Sequence, residues 1–244
     1  MLTTLLAIFI YFLPQNNLQQ QARLEIRFGN FIGNKPLSPD STYTNPFGEN
    51  YTVQRLKYYI TNIELVNTKA NKRIPVKNSY FLVDDGNEES KIISLNVAEG
   101  NYDAISFLLG VASLHNVSGA QSGALDPMNG MFWTWNSGYV SIKMEGKSPA
   151  SNLPQNLIEY HLGGFKGPDK VMQRIDLSFK EGPASFTGKK TTTISVKTDM
   201  NLFFKSVYSL PIKQNPACTT AGKLARQYSE NYATLFSIDK VETQ

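Results

Sequence analysis

Residues 171–179 read VMQRIDLSF, a stretch in which apolar and polar side chains alternate. Ile175, Leu177 and Phe179 fall on one face of an extended chain, and Arg174 and Asp176 fall on the other. A period of two over this length indicates a half-buried β-strand rather than a helix.

The same pattern recurs along the chain, beginning with Leu24, Ile26 and Phe28. Further strand-like runs are predicted at 53–66, 79–83, 91–97, 103–111, 139–144, 157–162, 171–179 and 191–196. Turn clusters such as DDGNEES, AEGN and KEGPAS separate them, and helical spacing is clear only over 222–236, with a weaker signal near 201–208. The sequence therefore predicts an all-β, antiparallel β-sandwich with long inserted loops and a short C-terminal helix.

The composition is typical of a globular protein, and it does not indicate a protein that binds nucleic acid or one that is held together by disulfides. Of the 244 residues 41% are hydrophobic and 18% are charged, and the net charge of +4 is spread over many segments. The sequence contains no basic patch of the kind that would indicate nucleic acid as a partner. The one cysteine, Cys218, cannot form an internal disulfide, so the fold depends on its core.

Residues 5–13 read LLAIFIYFL, an apolar run that is too short to span a membrane. Its length is typical of a signal peptide, which we predict over residues 1–21, although no basic residue precedes the run and a buried first strand is the alternative. The mature chain, residues 22–244, is expected to be one domain without a membrane span, exported to the periplasm or the cell surface. No cysteine follows the run to carry a lipid anchor.

Residues 108–167 hold both histidines, both tryptophans and three of the six methionines. His115 and His161 come from different predicted elements whose ends can meet at the rim of a sandwich. Two imidazoles are few for zinc, whereas copper(I) accepts low coordination numbers and thioether donors such as Met128 and Met131. The alternative is two unrelated histidines that are simply hydrogen-bonded.

Trp133 and Trp135 are two residues apart in MFWTWNSGY, so an extended backbone would place both on one face, near Tyr139. Such an aromatic surface can belong to the core, form the wall of a metal site, or stack on sugar rings.

Catalytic signatures are missing from the sequence, since it contains no Gly-x-Ser-x-Gly, no phosphate-binding loop and no His-Glu-x-x-His. Asp126 and Glu145 are candidate catalytic carboxylates within residues 108–167, but Asp126 before Pro127 is typical of a turn and Glu145 before Gly146 of a strand exit. Cys218 has no histidine nearby in the sequence. We predict no catalytic residues and a protein that is not an enzyme.

The run LDPMNGMFWTWNSGYVSIKMEG at 125–146 and the later YHLGGF at 160–165 resemble the MbnP-like family of exported bacterial proteins. LKYYITNIELV at 56–66 and FLLGVASLHNVSG at 107–119 extend the resemblance from about Ala22 to the C-terminal helix. The resemblance implies a copper site with two histidines, which fall on His115 and His161, and a protein partner for metal delivery or tryptophan modification. It also implies, in some members, an oxidised tryptophan two residues before the first histidine, where this chain has Ser113.

Two functions from different classes follow. The first is copper binding by His115 and His161, in copper acquisition or storage. The second is a surface module that binds glycan or protein through its aromatic residues, with structural histidines.

Overall fold

The computed structural model describes residues 21–39, 41–118, 121–133 and 138–244. The predicted signal peptide, apart from Gln21, and Trp135 lie outside these residues. Within them no helix has the length and apolar character needed to cross a membrane.

In the described residues, sixteen strands and three α-helices make up the regular structure, together with short 3-10 helices. The strands are β1 (Gln21–Ile32), β2 (Lys35–Pro36), β3 (Thr42–Thr44), β4 (Asn50–Asn67), β5 (Lys72–Pro75), β6 (Tyr80–Asp84), β7 (Ile92–Ala98), β8 (Gly100–Tyr102), β9 (Ala104–Leu109), β10 (Val140–Lys147), β11 (Leu157–Gly163), β12 (Gln173–Ser178), β13 (Ala184–Phe186), β14 (Thr191–Asp199), β15 (Ala217–Cys218) and β16 (Phe236–Thr243). The helices are α1 (Ser113–Val117), α2 (Asn201–Phe204) and α3 (Lys223–Tyr232).

A five-stranded sheet forms one layer, in the order β16-β14-β1-β2, with β7 also paired to β1. β1 buries every second side chain, as its alternating sequence predicts. Its partner β14 runs parallel to it, with Arg23 level with Thr191 and Phe31 level with Asp199.

A nine-stranded sheet forms the second layer, in the order β12-β9-β4-β10-β11-β15, with β3, β5 and β6 also paired to β4. Side chains from the inner faces of the two sheets meet in the main core, where the ring of Phe28 packs edge-on at 6.1 Å from Tyr58 and 6.0 Å from Phe107. The predicted predominance of β-structure is therefore confirmed, and the two main sheets contribute to one core, as a sandwich requires. The predicted purely antiparallel pairing is wrong, because β1–β14 and β11–β15 are parallel.

The outer face of the nine-stranded sheet carries a second, smaller hydrophobic cluster beneath the segment that joins β9 to β10. We call residues 111–118, 121–133, 138 and 139 the cover segment. The buried members of the cluster are Tyr59, Val111, Leu125, Met131, Tyr139 and Val140. The Tyr59 hydroxyl fastens the segment to the sheet by donating to the Ala124 carbonyl (3.0 Å), and within the segment the Tyr139 hydroxyl donates to the Leu125 carbonyl (2.6 Å).

Every predicted strand run coincides with an observed strand, with ends that differ by a few residues. The predicted C-terminal helix is α3, but it does not end the fold, because β16 follows and pairs with β14. The five-residue helix α1 was not predicted, since so short an element shows no helical period.

Candidate metal centre

His161 lies on the outer face of the nine-stranded sheet, between the inward-facing Tyr160 and Leu162. It is level with Lys143 of β10, which is in turn level with Lys57 of β4. Cross-strand neighbours share a face, so these three polar side chains form a row beside the cover segment.

The imidazole of His161 is hydrogen-bonded to Glu145, whose carboxylate also interacts with the cationic side chains of Arg55 and Lys143. Nε2 of His161 lies 2.7 Å from Oε1 of Glu145, and a guanidinium nitrogen of Arg55 lies 2.6 Å from Oε2. Nζ of Lys143 is 3.9 Å from Oε1 and donates to the carbonyl oxygen of Gly130 at 2.6 Å, which ties the cover segment to this network. Burial lowers the pKa of the Lys143 ammonium, against the opposing effect of Glu145.

His115 lies on α1, where its ring meets that of Tyr80 edge-on at 4.5 Å. Its Nδ1 atom is buried and has no hydrogen-bond partner among the described residues. Such an atom is rare, because a buried nitrogen without a partner costs free energy.

Asn116 holds α1 in this position. Its side-chain amide donates to the carbonyls of Val111 (2.9 Å) and Ala112 (3.1 Å), and its side-chain oxygen accepts the backbone N–H of Tyr139 (2.7 Å). Gly138 fits against it with a φ of +73°, where an added Cβ would lie 2.1 Å from the same oxygen. Position 138, directly before Tyr139, therefore requires glycine.

The two histidines share the outer face but have different surroundings. Tyr80, the partner of His115, is level with Thr61 of β4, whereas His161 is level with Lys57 across β10. The path from Tyr80 on β6 to His161 on β11 crosses three strand spacings of about 4.8 Å and runs four residues of about 3.3 Å along β4, from Thr61 to Lys57. Together these steps place Tyr80 and His161 roughly 19 Å apart along the sheet. The second cluster lies between these positions.

The two methionines predicted as donors also differ from each other. Met128 is 90% exposed, on a short 3-10 helix at Pro127–Asn129, whereas Met131 is fully buried in the second cluster. Among the residues that the structure describes, no group of three or more His, Cys, Asp or Glu side chains is arranged to hold a metal ion.

Of the three residues predicted to form an aromatic surface, Tyr139 and Trp133 pack against the protein, and Trp135 lies outside the described residues. Tyr139 is buried against Tyr59, with ring centroids 5.7 Å apart, so it serves the second cluster and cannot stack on a ligand. The ring of Trp133 lies against Gly163, where an added Cβ would come within 2.6 Å of it. Gly163 in the motif YHLGGF thus makes room for Trp133, which remains half-buried beside the strand of His161.

Asp126, Glu145 and Cys218, the other candidate residues, make contacts that are explained by the fold. Asp126 caps the short helix by accepting the backbone N–H of Met128 (2.8 Å), as expected of a turn. Glu145 lies within β10, where the sequence predicted a strand exit, and it bonds His161. Cys218 is buried on β15, and burial raises the pKa of its thiol to about 11.

Sequence reasoning missed the residues that set the environment of each histidine, namely Glu145 and Arg55 for His161, and Tyr80 and Asn116 for His115. The alternation in VSIKMEG already placed Lys143 and Glu145 on one face of β10, so a search for polar neighbours of His161 could have found them. Nothing in the sequence pointed to Tyr80, because its proximity to His115 is tertiary.

Comparison with known protein families identifies one family for most of the chain. The family model MbnP matches residues 21–220. Among solved structures, MbnP from Methylosinus trichosporium superposes with a TM-score of 0.57 at 17% sequence identity, over 82% of this chain and 83% of that chain. A search of curated protein sequences found no match. At this identity the structural match speaks for the fold alone.

Proposed function

The chain belongs to the MbnP family, as its motifs indicated, and on that premise we propose that it is an exported copper-binding protein with His115 and His161 as imidazole ligands. Its role would be binding, in copper acquisition or storage, rather than catalysis.

The observation that carries this proposal is the buried Nδ1 atom of His115, which lacks a hydrogen-bond partner. A neutral imidazole nitrogen of this kind is a common ligand for copper. Coordination would satisfy the nitrogen, whereas an apo protein bears the cost of leaving it unpaired.

His161 offers a second imidazole with an arrangement that suits a ligand. Metal-binding histidines usually donate their second ring N–H to a carboxylate, which orients the ring and increases its basicity. The contact between His161 and Glu145 has this form. An imidazole and a nearby thioether are donors suited to copper(I), and Met131, in the cluster between the histidines, is the thioether we favour over the exposed Met128.

Ser113 replaces the tryptophan that the family resemblance places there, and its hydroxyl lies 3.3 Å from the carbonyl oxygen of Phe165. A serine cannot supply an oxidised indole as a ligand. We therefore propose that copper binding in this chain depends on unmodified side chains.

A titration with copper(I) against a competing chelator tests the proposal. We expect the wild-type chain to bind and a His115→Ala, His161→Ala double variant to lose binding. The single variants separate two forms of the site: if both histidines hold one ion, either substitution abolishes it, and if each holds its own ion, either substitution halves the stoichiometry.

Two control variants change the same elements without removing a nitrogen. Leu114→Ala alters α1 at a side chain that is 72% exposed, and Glu159→Gln alters the outer face of β11 two residues from His161. Both should bind copper like the wild type. A double histidine variant that binds as tightly as the wild type would contradict the proposal.

Export is a separate part of the proposal and has its own test. The full chain, expressed in a bacterium, should be recovered outside the cytoplasm with an N-terminus near Ala22, as read by N-terminal sequencing. Recovery of the unprocessed chain from the cytoplasm alone would contradict export.

A further inference from the structure

We propose that Glu145 is the positioning residue of His161, and that it selects Nδ1 as the nitrogen that binds copper. This inference rests on the proposed function, because it specifies how one ligand of that site is prepared.

The hydrogen bond between His161 and Glu145 determines the tautomer of the ring. Nε2 lies 2.7 Å from Oε1 of Glu145, and a carboxylate can only accept, so Nε2 must carry the proton. A neutral imidazole has one N–H, which leaves the lone pair on Nδ1. The nitrogen available to a metal is thereby fixed before any metal arrives.

The carboxylate of Glu145 is itself held in place by neighbouring cationic side chains, so that it can accept the Nε2 hydrogen bond of His161. Arg55 of β4 approaches Oε2 at 2.6 Å, which leaves Oε1 to face His161 and, at 3.9 Å, Lys143. The carboxylate is about one-fifth exposed, as is the imidazole. A charge-assisted bond at such a partly buried position is stronger than one in water.

The neighbouring carboxylate provides a contrast. Glu159 lies directly across from Glu145 on β11 and on the same outer face, two residues from His161. No hydrogen bond joins its side chain to His161 in the described part of the chain. The Glu159→Gln substitution therefore removes a nearby negative charge of the same face without removing a hydrogen-bond partner of the imidazole.

The experiment uses the full mature chain in a His115→Ala background, which leaves His161 as its one histidine. Nitrogen-15 NMR of the metal-free protein in alkaline buffer, where imidazole is neutral, reports which ring nitrogen carries the proton. Three further substitutions are compared in this background: Glu145→Leu, Glu145→Gln and Glu159→Gln.

We expect the proton on Nε2 in the background variant and in Glu159→Gln, and a mixture of both tautomers in Glu145→Leu. Glu145→Gln should keep much of the Nε2 tautomer, since its amide oxygen still accepts. A proton on Nδ1 in the background variant, or the same tautomer in Glu145→Leu, would overturn the inference.

Copper(I) affinity, measured with His115 present, is the second readout. Glu145→Leu should weaken binding by roughly 10- to 100-fold, Glu145→Gln by less, and Glu159→Gln hardly at all. If copper binds but Glu145→Leu leaves the affinity unchanged, the inference fails and the proposed function stands. If the wild type binds no copper, the proposed function fails, and the tautomers still decide whether Glu145 orients the ring.

Discussion

Replacing Asn116 by alanine should loosen the cover segment without unfolding the sandwich. The side chain is 2% exposed and makes three hydrogen bonds, to the carbonyls of Val111 and Ala112 and from the N–H of Tyr139. Ala112 keeps a second partner in the N–H of His115, so the variant leaves two buried backbone groups unpaired. At about 1–3 kcal/mol for each group, the local loss is on the order of 3 kcal/mol.

Native-state hydrogen exchange measures this loss residue by residue. About 3 kcal/mol corresponds to roughly a hundredfold faster exchange at the amides of Tyr139 and Val140, if the cover segment opens locally. Amides of the main core, such as that of Phe107, should keep their rates.

Asn129→Ala is the matched control for this prediction. Asn129 also bonds two carbonyls of the cover segment, those of Gly123 and Ala124, but it is half-buried and water can replace it. We expect a change under about tenfold in exchange rate. Equal effects of the two variants, or an Asn116→Ala effect that spreads evenly to the main core, would refute the reasoning.

Three further predictions concern packing and ionisation. Gly163→Ala should displace the ring of Trp133, because the added methyl would lie 2.6 Å from it; we expect a loss of about 1–3 kcal/mol and red-shifted tryptophan emission, and an unshifted spectrum would contradict the contact. Cys218, with its pKa raised to about 11 by burial, should react with a thiol reagent at neutral pH roughly 100-fold more slowly in the folded chain than in urea; equal rates would contradict its burial. Burial raises the pKa of Tyr58 and Tyr160 far above the value of about 10 that phenols have in an unfolded chain, so above about pH 10 the unfolded state releases protons that the folded state keeps. The free energy of unfolding should therefore fall from about pH 9 to about pH 11 in urea titrations, and a constant value would show that these phenols ionise equally in both states.

The sequence by itself determined most of the long strands, but not β16 or the short strands. Alternation in segments such as 171–179 and 24–28 follows directly from side chains that point to opposite faces, so it located the longer strands and the mostly β character of the chain. The motif around Trp133 and His161 was long enough to identify the family. The parallel pairing of β1 with β14 was not predictable in this way, because alternation describes the faces of a strand and not the direction of its neighbour.

Tertiary structure alone decided the environments of the candidate site. Glu145 meets His161 because β10 and β11 pair in one particular register, and His115 meets Tyr80 because Asn116 fastens α1 to the backbone of Tyr139. Tyr139 is buried because the cover segment folds back over the outer face of the sheet. Each of these contacts joins residues that are distant along the chain, and local sequence patterns carry no information about which distant partners meet.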